Sequence, residues 1–346
     1  MSETARTEKE FVIDAIPEPG NIEDVIYSLM VNPNLSSINY FNDFSELNIS
    51  PESIGGSETD ESGLFDIDSN GNKMAMTTHA MHNHLESDPE KAIEILVSKA
   101  ARKMICFGAR PVAISAFLYH IDFGDPNGQF IASGAKKGLE LATTAFGLKI
   151  SDRKIRFDHF PNHGEIPPTI IISMIGVFSN SESIITHALK KKGNNIFLLG
   201  RTEDDIASSE YLEFFHRVND SPLPHFNIDD EVKIQRALTK LNELNLLRSA
   251  SPVGKGGLFF TLLRAAIPNN LGFDITTAAE TRIDSFLFGE AMGRIIVEVD
   301  NSNEDEFVDV LSELEVPFFM LGHITKGEIR IDDESMGYVD KMTVGV

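Results

Sequence analysis

The sequence predicts an α/β (α+β) fold of two domains, for three reasons. Short apolar runs bounded by Gly, Pro and Asp alternate with longer segments whose apolar residues recur at helical spacing. The 346 residues exceed the usual size of one domain, and the 42% hydrophobic content is enough to build a core. A strand ending near residue 180 closes the first unit, and a basic stretch precedes the second. We therefore expect a lead-in at 1–50, an N-terminal domain at 51–182 and a C-terminal domain at 190–346.

The lead-in is predicted to be acidic and rich in loops, because Pro17, Pro19 and Gly20 interrupt any early helix. A flexible loop at 50–63 then leads into the N-terminal domain. This domain should begin with a hairpin of two short strands, 64–68 and 73–78, around a turn at 69–71. Further on we expect a strand at 111–123, a helix at 129–146 and a long buried strand at 168–178.

One helix of the N-terminal domain has clear signals at both ends. Asp88 is a typical N-cap residue, Pro89 suits the first helical turn, and Gly108 follows the last residue of an apolar stripe.

The C-terminal domain is predicted to alternate strands and helices in the same way. A strand at 195–199 opens it, and a helix at 230–247 carries acidic residues in its first turn, where they face the positive end of the helix dipole. The glycine-rich segment 254–257 leads into a helix at 258–266. Three more strands are expected, at 293–299, 316–321 and 328–331.

Composition excludes several classes of function. The chain has 30 Lys and Arg against 53 Asp and Glu, a net charge of −23, which argues against nucleic acid or an anionic membrane as a partner. Its one cysteine, Cys106, excludes a disulfide framework and Cys-rich zinc modules, and is expected in the core. No apolar run suggests a signal peptide or a membrane span, so we expect a cytoplasmic protein.

Short motifs along most of the chain occur in a characteristic order. The N-terminal half contains NPNLS (32–36), FND (41–43), MAMTT (74–78), DP (88–89), AAR (100–102), GARP (108–111) and FGDP (123–126). The C-terminal half contains LGRT (199–202), SSEY (208–211), GGL (256–258) and LFGE (287–290). Together they resemble the aminoimidazole ribonucleotide synthetase superfamily, and most closely the C-terminal half of formylglycinamidine ribonucleotide synthase.

The resemblance implies a fold, a cofactor and an activity. It implies two α/β domains with ATP and Mg²⁺ in the cleft between them, and a homodimer in which strands of both N-terminal domains close a β-barrel. Active members phosphorylate an amide or similar oxygen with ATP and then displace the phosphate with nitrogen. For this chain the implied ancestral activity is an ATP-dependent C–N ligation of purine biosynthesis.

The chain departs from the family pattern at metal-binding positions. His79 stands where the family usually has a metal-binding Asp, Lys99 where a Glu is usual, and Lys103 where an Asn is usual. The segment 251–255 lacks the acids that normally precede the glycine motif, which leaves Asp60, Asp88 and Glu290 to supply acids in an active enzyme. These losses suggest an alternative function, a catalytically degenerate paralogue that acts as a nucleotide-, phosphate- or transition-metal-binding regulatory or structural dimer.

A cluster of histidines suggests the transition-metal hypothesis. His79, His82 and His84 lie within six positions, and in an extended segment His82 and His84 point to the same side. Imidazole nitrogen suits Zn²⁺ or Ni²⁺, so a nitrogen-rich site could replace the oxygen-rich one. The alternative interpretation is an exposed loop with coincidental histidines. Other candidate ligands near the same cleft are His120 and Asp60, with His159 and His163 more distant.

Two further features predict a site for a small anionic ligand. Lys99 and Lys103 are four residues apart on one helix, so they share a face that either holds a phosphate or is simply solvated. The glycine-rich segment at a helix start could bind an anion through main-chain NH groups, although it lacks the spacing of a P-loop. The candidate phosphate- or nucleotide-binding residues are therefore Lys99, Lys103, Gly254, Lys255, Gly256 and Gly257.

Overall fold

The computed structural model describes residues 12–35, the backbone of 62–66, and residues 73–157, 166–178 and 184–342. These residues form two β-sheets with helices packed on them, a mixed α/β fold as predicted. The predicted loop at 50–63 lies outside the described residues except at its end, and the turn at 69–71 lies outside them altogether. Among the helices of the described ranges, none is long and apolar enough to cross a membrane.

The first sheet contains five strands, which are β1 (Ser62–Asp66), β2 (Lys73–Met81), β3 (Arg110–Tyr119), β4 (Lys149–Arg156) and β5 (Thr169–Val177). They lie in the order β1-β2-β5-β3-β4, with β3 and β4 parallel and the other neighbours antiparallel. β1 and β2 form the predicted hairpin. β5 alternates between buried and half-buried residues, because helices cover one face of this sheet, whereas the sequence suggested a strand buried throughout.

Among the described residues, three α-helices precede the second sheet, namely α1 (Ile22–Met30), α2 (Pro89–Cys106) and α3 (Pro126–Phe146). The carboxylate of Asp88 accepts a hydrogen bond from the amide of Lys91, so α2 begins where the sequence predicts. α3 begins three residues earlier than expected, because Asp125 caps it through the amide of Gly128. α2 and α3 pack on one face of the first sheet and bury its apolar core.

The second sheet contains seven strands, which are β6 (Asn195–Leu199), β7 (Leu247–Pro252), β8 (Gly272–Ile275), β9 (Ile295–Val299), β10 (Phe318–Thr325), β11 (Glu328–Ile331) and β12 (Glu334–Tyr338). Their order is β12-β11-β8-β10-β6-β9-β7. Its helices are α4 (Ile228–Glu243), α5 (Gly257–Ala266), α6 (Ile283–Phe288), α7 (Glu304–Glu313) and α8 (Val339–Met342). The strands β7, β8 and β12 and the helices α6 to α8 were not anticipated from the sequence.

Helices cover both faces of the second sheet. In β6, Ile196 and Leu198 join the apolar cluster of α5, while Phe197 and Leu199 join that of α4 and α7. All five residues of β6 are therefore buried, as are all five of β9. The predicted helix at 230–247 ends earlier, at Glu243, because Asn245 adopts a left-handed conformation (φ 55°) and the chain turns into β7.

The lead-in contains a helix where the sequence predicted loops. Asn21 caps α1 by accepting a hydrogen bond from the amide of Glu23. The buried side of α1, including Val25 and Leu29, belongs to the apolar cluster of the second sheet and packs against the short helical turn Tyr211–Phe215. This part of the chain is therefore attached to the second sheet, although it precedes the first sheet in sequence.

The two sheets meet along α2. Cys106, at the end of this helix, is buried in the same cluster as α4 and α7, as expected of a core residue. The β-barrel implied by the resemblance is not closed within the described residues of the single chain, where the first sheet is open. Its α2 side faces the second sheet. We call the region between α2 and residues 254–257 the cleft.

Candidate functional site

The predicted phosphate residues meet where α2 faces the start of α5. Glu290, just after α6, lies at the centre of this region. Its Oε1 accepts hydrogen bonds from the amides of Gly256 and Glu210, both at 2.9 Å. Burial raises the pKa of Glu290 above its ordinary value, although the two amide donors and the charge of Lys99 act in the opposite direction. The Gly256 amide, a predicted anion donor, is thus already occupied by a carboxylate of the protein.

A second carboxylate, Glu210, lies next to the first and is almost completely buried. Its Oε2 accepts hydrogen bonds from the side-chain amides of Asn32 (2.8 Å) and Asn34 (3.1 Å), and its Oε1 lies 3.1 Å from the ammonium of Lys255. Burial alone would raise the pKa of Glu210, but these donors and the Lys255 charge bring it below the ordinary value. The segment after α1 is therefore fixed to the site through Glu210.

Lys99 is the cation on the α2 side of this region. It is partly buried, and within the described ranges its ammonium makes neither a hydrogen bond nor an ion pair. Burial lowers the pKa of Lys99, and the charges of Arg102 and Lys255 lower it further, while Glu290 raises it. Lys103 lies one turn further along α2 and is also partly buried. The structure thus brings Lys99 and Lys255 to one place, close enough for each charge to act on the other.

Arg102, which could have faced a ligand, instead joins the two halves of the molecule. Its Nε and Nη2 donate to the two carboxylate oxygens of Glu231 on α4, each at 2.7 Å, and both side chains are 1% exposed. Gln235 donates a further hydrogen bond to the same carboxylate at 2.8 Å. A buried bidentate pair of this kind fixes α2 against α4 and so sets the position of Lys99.

The glycines at the start of α5 are required by packing. Gly256 and Gly257 have left-handed backbones, with φ of 79° and 72°. A Cβ on Gly257 would lie 2.6 Å from the carbonyl carbon of Phe288, and one on Gly256 would lie 2.8 Å from the Cβ of Phe260. A Cβ on Gly254 would meet nothing within 4 Å, so this glycine faces open space.

His84 connects the first domain to the second beside Lys99. Its Nε2 lies 2.8 Å from the hydroxyl of Ser208, which in turn donates to the carbonyl of Pro222 at 2.7 Å. Because that hydroxyl has one proton, Nε2 of His84 must be the donor. Burial lowers the pKa of His84, as does the Lys99 charge. Both His84 (φ 64°) and Ser208 (φ 54°) have left-handed backbones.

The histidines do not form the predicted metal site. His79 contacts Thr77 on its own strand at 3.0 Å, and His82 is exposed. His120 lies at the end of β3, where its Nδ1 is buried without a hydrogen-bond partner. The described residues contain no group of three or more His, Cys, Asp or Glu placed to hold a metal ion. The transition-metal hypothesis is therefore not supported, and its other candidates, Asp60, His159 and His163, lie outside the described residues.

Comparisons with known proteins show what the chain is similar to. Residues 191–333 match the family described as AIR synthase related protein, C-terminal domain. The chain is 25% identical over 340 residues to phosphoribosylformylglycinamidine synthase subunit PurL of Alkaliphilus metalliredigens, an alignment that covers 96% of this chain and 46% of the relative. It is 29% identical over 266 residues to the same subunit of Chlorobaculum tepidum, which covers 73% of this chain and 35% of that protein.

Over most of its length the chain is similar to proteins of the AIR synthase superfamily, and residues 191–333 match the C-terminal domain of that family.

Solved structures of the superfamily agree with the fold. Thermotoga maritima PurL complexed with ATP has a TM-score of 0.71 at 15% identity, over 94% of this chain and 52% of that one. The tt0281 protein of Thermus thermophilus has a TM-score of 0.64 at 14% identity, over 87% of this chain and 98% of that one. The chain spans less than half the length of the curated PurL relatives it matches. The likeness to these structures shows the fold, and the activity has to be inferred from the site.

Several residues of the site were missed by sequence reasoning. Glu210 and Ser208 lie in the SSEY motif, and Asn32 and Asn34 in the NPNLS motif, and all four were quoted only as marks of the superfamily. The available signal was their density of hydrogen-bonding side chains within short motifs. Of the acids proposed for an active enzyme, Asp88 caps α2 and Glu290 accepts from main-chain amides.

Proposed function

We propose that this relative of the AIR synthase superfamily binds a small phosphorylated ligand of the nucleotide type in the cleft between its two sheets, without turning over ATP. One observation supports the proposal above all. Lys99 is a partly buried ammonium without a hydrogen bond or ion pair in the described part of the chain, and the nearby carboxylates Glu210 and Glu290 already have donors from the protein. The ammonium of Lys99 is therefore left to attract an anion into the cleft.

The superfamily supports the choice of ligand class. Structures of Thermotoga maritima PurL have been solved with ATP, with ADP and with FGAR, all of which carry phosphate. In this chain the proposed ligand-binding residues are Lys99 and Lys255, with Lys103 and Gly254 beside them. The amides of Gly256 and Gly257, also predicted from the sequence, already donate to Glu290 and to the carbonyl of Gly254.

A second candidate function is ATP-dependent ligation of the PurL type. It is favoured by the 25% identity to a PurL subunit that extends over 96% of this chain. It is opposed by the departures from the family pattern at His79, Lys99 and Lys103, where the family usually has Asp, Glu and Asn. Mg²⁺ on a triphosphate is held by one or two protein carboxylates together with the phosphate oxygens, and the His and Lys side chains at these positions do not supply such ligands.

One experiment separates the two functions. The melting temperature is measured with ATP, ADP and AMP, each with and without Mg²⁺, since a ligand that binds the folded state raises it by mass action. Phosphate release is then measured with ATP, formylglycinamide ribonucleotide and ammonia. A shift without phosphate release supports the binding protein, phosphate release supports the ligase, and no shift with any nucleotide contradicts both.

We also propose that the protein is a homodimer joined through the first sheet. The face of this sheet opposite α2 and α3 carries apolar side chains in cross-strand pairs. Met76 lies opposite Ile175, and Phe117 opposite Ile171. Met76 is 38% exposed and the other three are partly buried. A measured mass of twice 38.3 kDa in solution would support the dimer, and a mass of one chain would contradict it.

A further inference from the structure

The cations of the cleft differ in how they are held. Lys255 is 60% exposed and lies 3.1 Å from Oε1 of Glu210, so its ammonium is anchored at one point and open on its other sides. The main-chain carbonyl of the same residue accepts from Arg264 at 2.7 Å, which fixes the backbone beneath it. Lys99 projects from α2 into a partly buried position without an acceptor in the described part of the chain.

The carboxylates of the cleft are poorly placed to hold a metal ion. Oε1 of Glu290 already accepts two amide hydrogen bonds. Glu210 accepts from Asn32, Asn34 and Lys255, and its pKa is held low by these donors. A divalent cation would have to break several of these bonds and to approach two ammonium groups. Electrostatics therefore opposes a metal here and favours an anion.

We propose that the ligand's phosphate group binds directly to the ammonium groups of Lys99 and Lys255, without a divalent cation between them. This inference deepens the proposed function and rests on it, because it names how the same cleft holds its ligand.

The chemistry of the two groups supports direct contact. An ammonium has three donors, and a phosphate monoester carries three strong acceptor oxygens with a charge of about −1.5 to −2 at neutral pH. A charge-assisted hydrogen bond to phosphate supplies Lys99 with the acceptor that the described residues do not. The ligand class is a nucleoside monophosphate or another phosphate monoester, whose charge of about −1.5 to −2 matches that of two ammonium groups.

The test uses the whole chain and two probes, AMP and adenosine, titrated by calorimetry in EDTA and in Mg²⁺. We expect AMP to bind with dissociation constants that agree within about two-fold in the two buffers, and adenosine to bind at least about ten-fold more weakly. Lys99→Met should weaken AMP binding about ten-fold or more. Lys136→Met removes one exposed positive charge from the outer side of α3 and should leave the affinity unchanged.

A measurement of stability distinguishes lost binding from lost folding. Lys99→Met removes an ammonium that folding takes partly out of water without providing an acceptor in the described part of the chain, so the melting temperature of the free protein should rise. Weaker AMP binding by a variant that melts higher supports the inference.

Any of three results would overturn the inference of direct phosphate contact. These are AMP binding that requires Mg²⁺, equal affinities for adenosine and AMP, and an unchanged AMP affinity in Lys99→Met. The first and third of these leave the proposed nucleotide binding intact. If neither probe binds in either buffer, the proposed function itself is wrong.

Discussion

The buried pair between Arg102 and Glu231 allows a quantitative test of how the two halves of the molecule are held together. Arg102→Met would leave the Glu231 carboxylate buried with one side-chain donor, Gln235 at 2.8 Å, and the first turn of α4 around it. Removing one partner of a buried ion pair costs about 3 to 5 kcal/mol. Glu231→Leu strands the guanidinium in the same way and should cost a similar amount.

The double variant is the decisive measurement. Replacing both partners by apolar side chains of similar size is often close to neutral, because no charge is left unpaired. The double variant Arg102→Met/Glu231→Leu should therefore lose less free energy of unfolding than the sum of the two single variants' losses, by about 3 kcal/mol or more.

Urea denaturation followed by far-UV circular dichroism is a suitable assay, since the chain has no Trp. The exposed pair of Lys233 and Glu315, 3.3 Å apart, is the control, and its removal should cost at most about 1 kcal/mol. Additive losses at Arg102 and Glu231, or single losses no larger than the control, would refute the reasoning.

Three further predictions concern stability, each measured by urea denaturation. Leu29→Ala should lower the free energy of unfolding by about 2 to 5 kcal/mol because Leu29 is completely buried on the packed side of α1. Val31→Ala, at a residue 71% exposed, should change it little, and equal effects would show that α1 does not dock. Gly257→Ala should lower the free energy of unfolding by about 2 to 5 kcal/mol, because the added methyl group meets close backbone contacts and the backbone is left-handed. Gly254→Ala should lower it much less, since a Cβ there meets nothing within 4 Å. An unchanged stability of Gly257→Ala would contradict the packing at this glycine. Burial lowers the pKa of Lys99 below its ordinary 10.5, so the unfolded chain keeps this proton to higher pH than the folded protein does. The free energy of unfolding of the wild type should therefore rise relative to that of Lys99→Met as the pH increases from the lowered pKa to 10.5. Parallel plots of unfolding free energy against pH for the two proteins would contradict the burial of this group.

Local signals in the sequence were sufficient to predict where a helix begins when its capping residue lies next to its first turn. Asp88 and Pro89 define the start of α2 by hydrogen bonding and fixed backbone geometry within a few residues, and the structure starts the helix there. The end of α4 depends on Asn245, whose left-handed conformation has no unambiguous signal in a run of helix-forming residues. α1 was missed because its apolar side has a partner only in tertiary structure, around the turn Tyr211–Phe215.

The sequence suggested some residues of the candidate site and none of its contacts. Lys99, Lys255 and Gly256 were identified from spacing and motifs, and the structure brings them together. The bond from Gly256 to Glu290 joins residues 34 apart in sequence, and no periodicity predicts such a contact. The histidine hypothesis assumed an extended chain, whereas His84 has a left-handed backbone, so the alternation that would place it beside His82 does not apply.

The net charge of −23 does not conflict with an anionic ligand once the partners of individual acids are known. Glu231 is neutralised by Arg102, Glu210 by Lys255 and two amide groups, and Glu290 accepts from the main chain. The acids nearest the cleft therefore stabilise its walls, and their number says little about the field inside it. What remains inside is the ammonium of Lys99, which costs free energy to bury and gains an acceptor when a phosphate binds. A group that destabilises the free protein and is satisfied by a ligand is typical of a binding site, because function and stability then place opposite demands on the same residue.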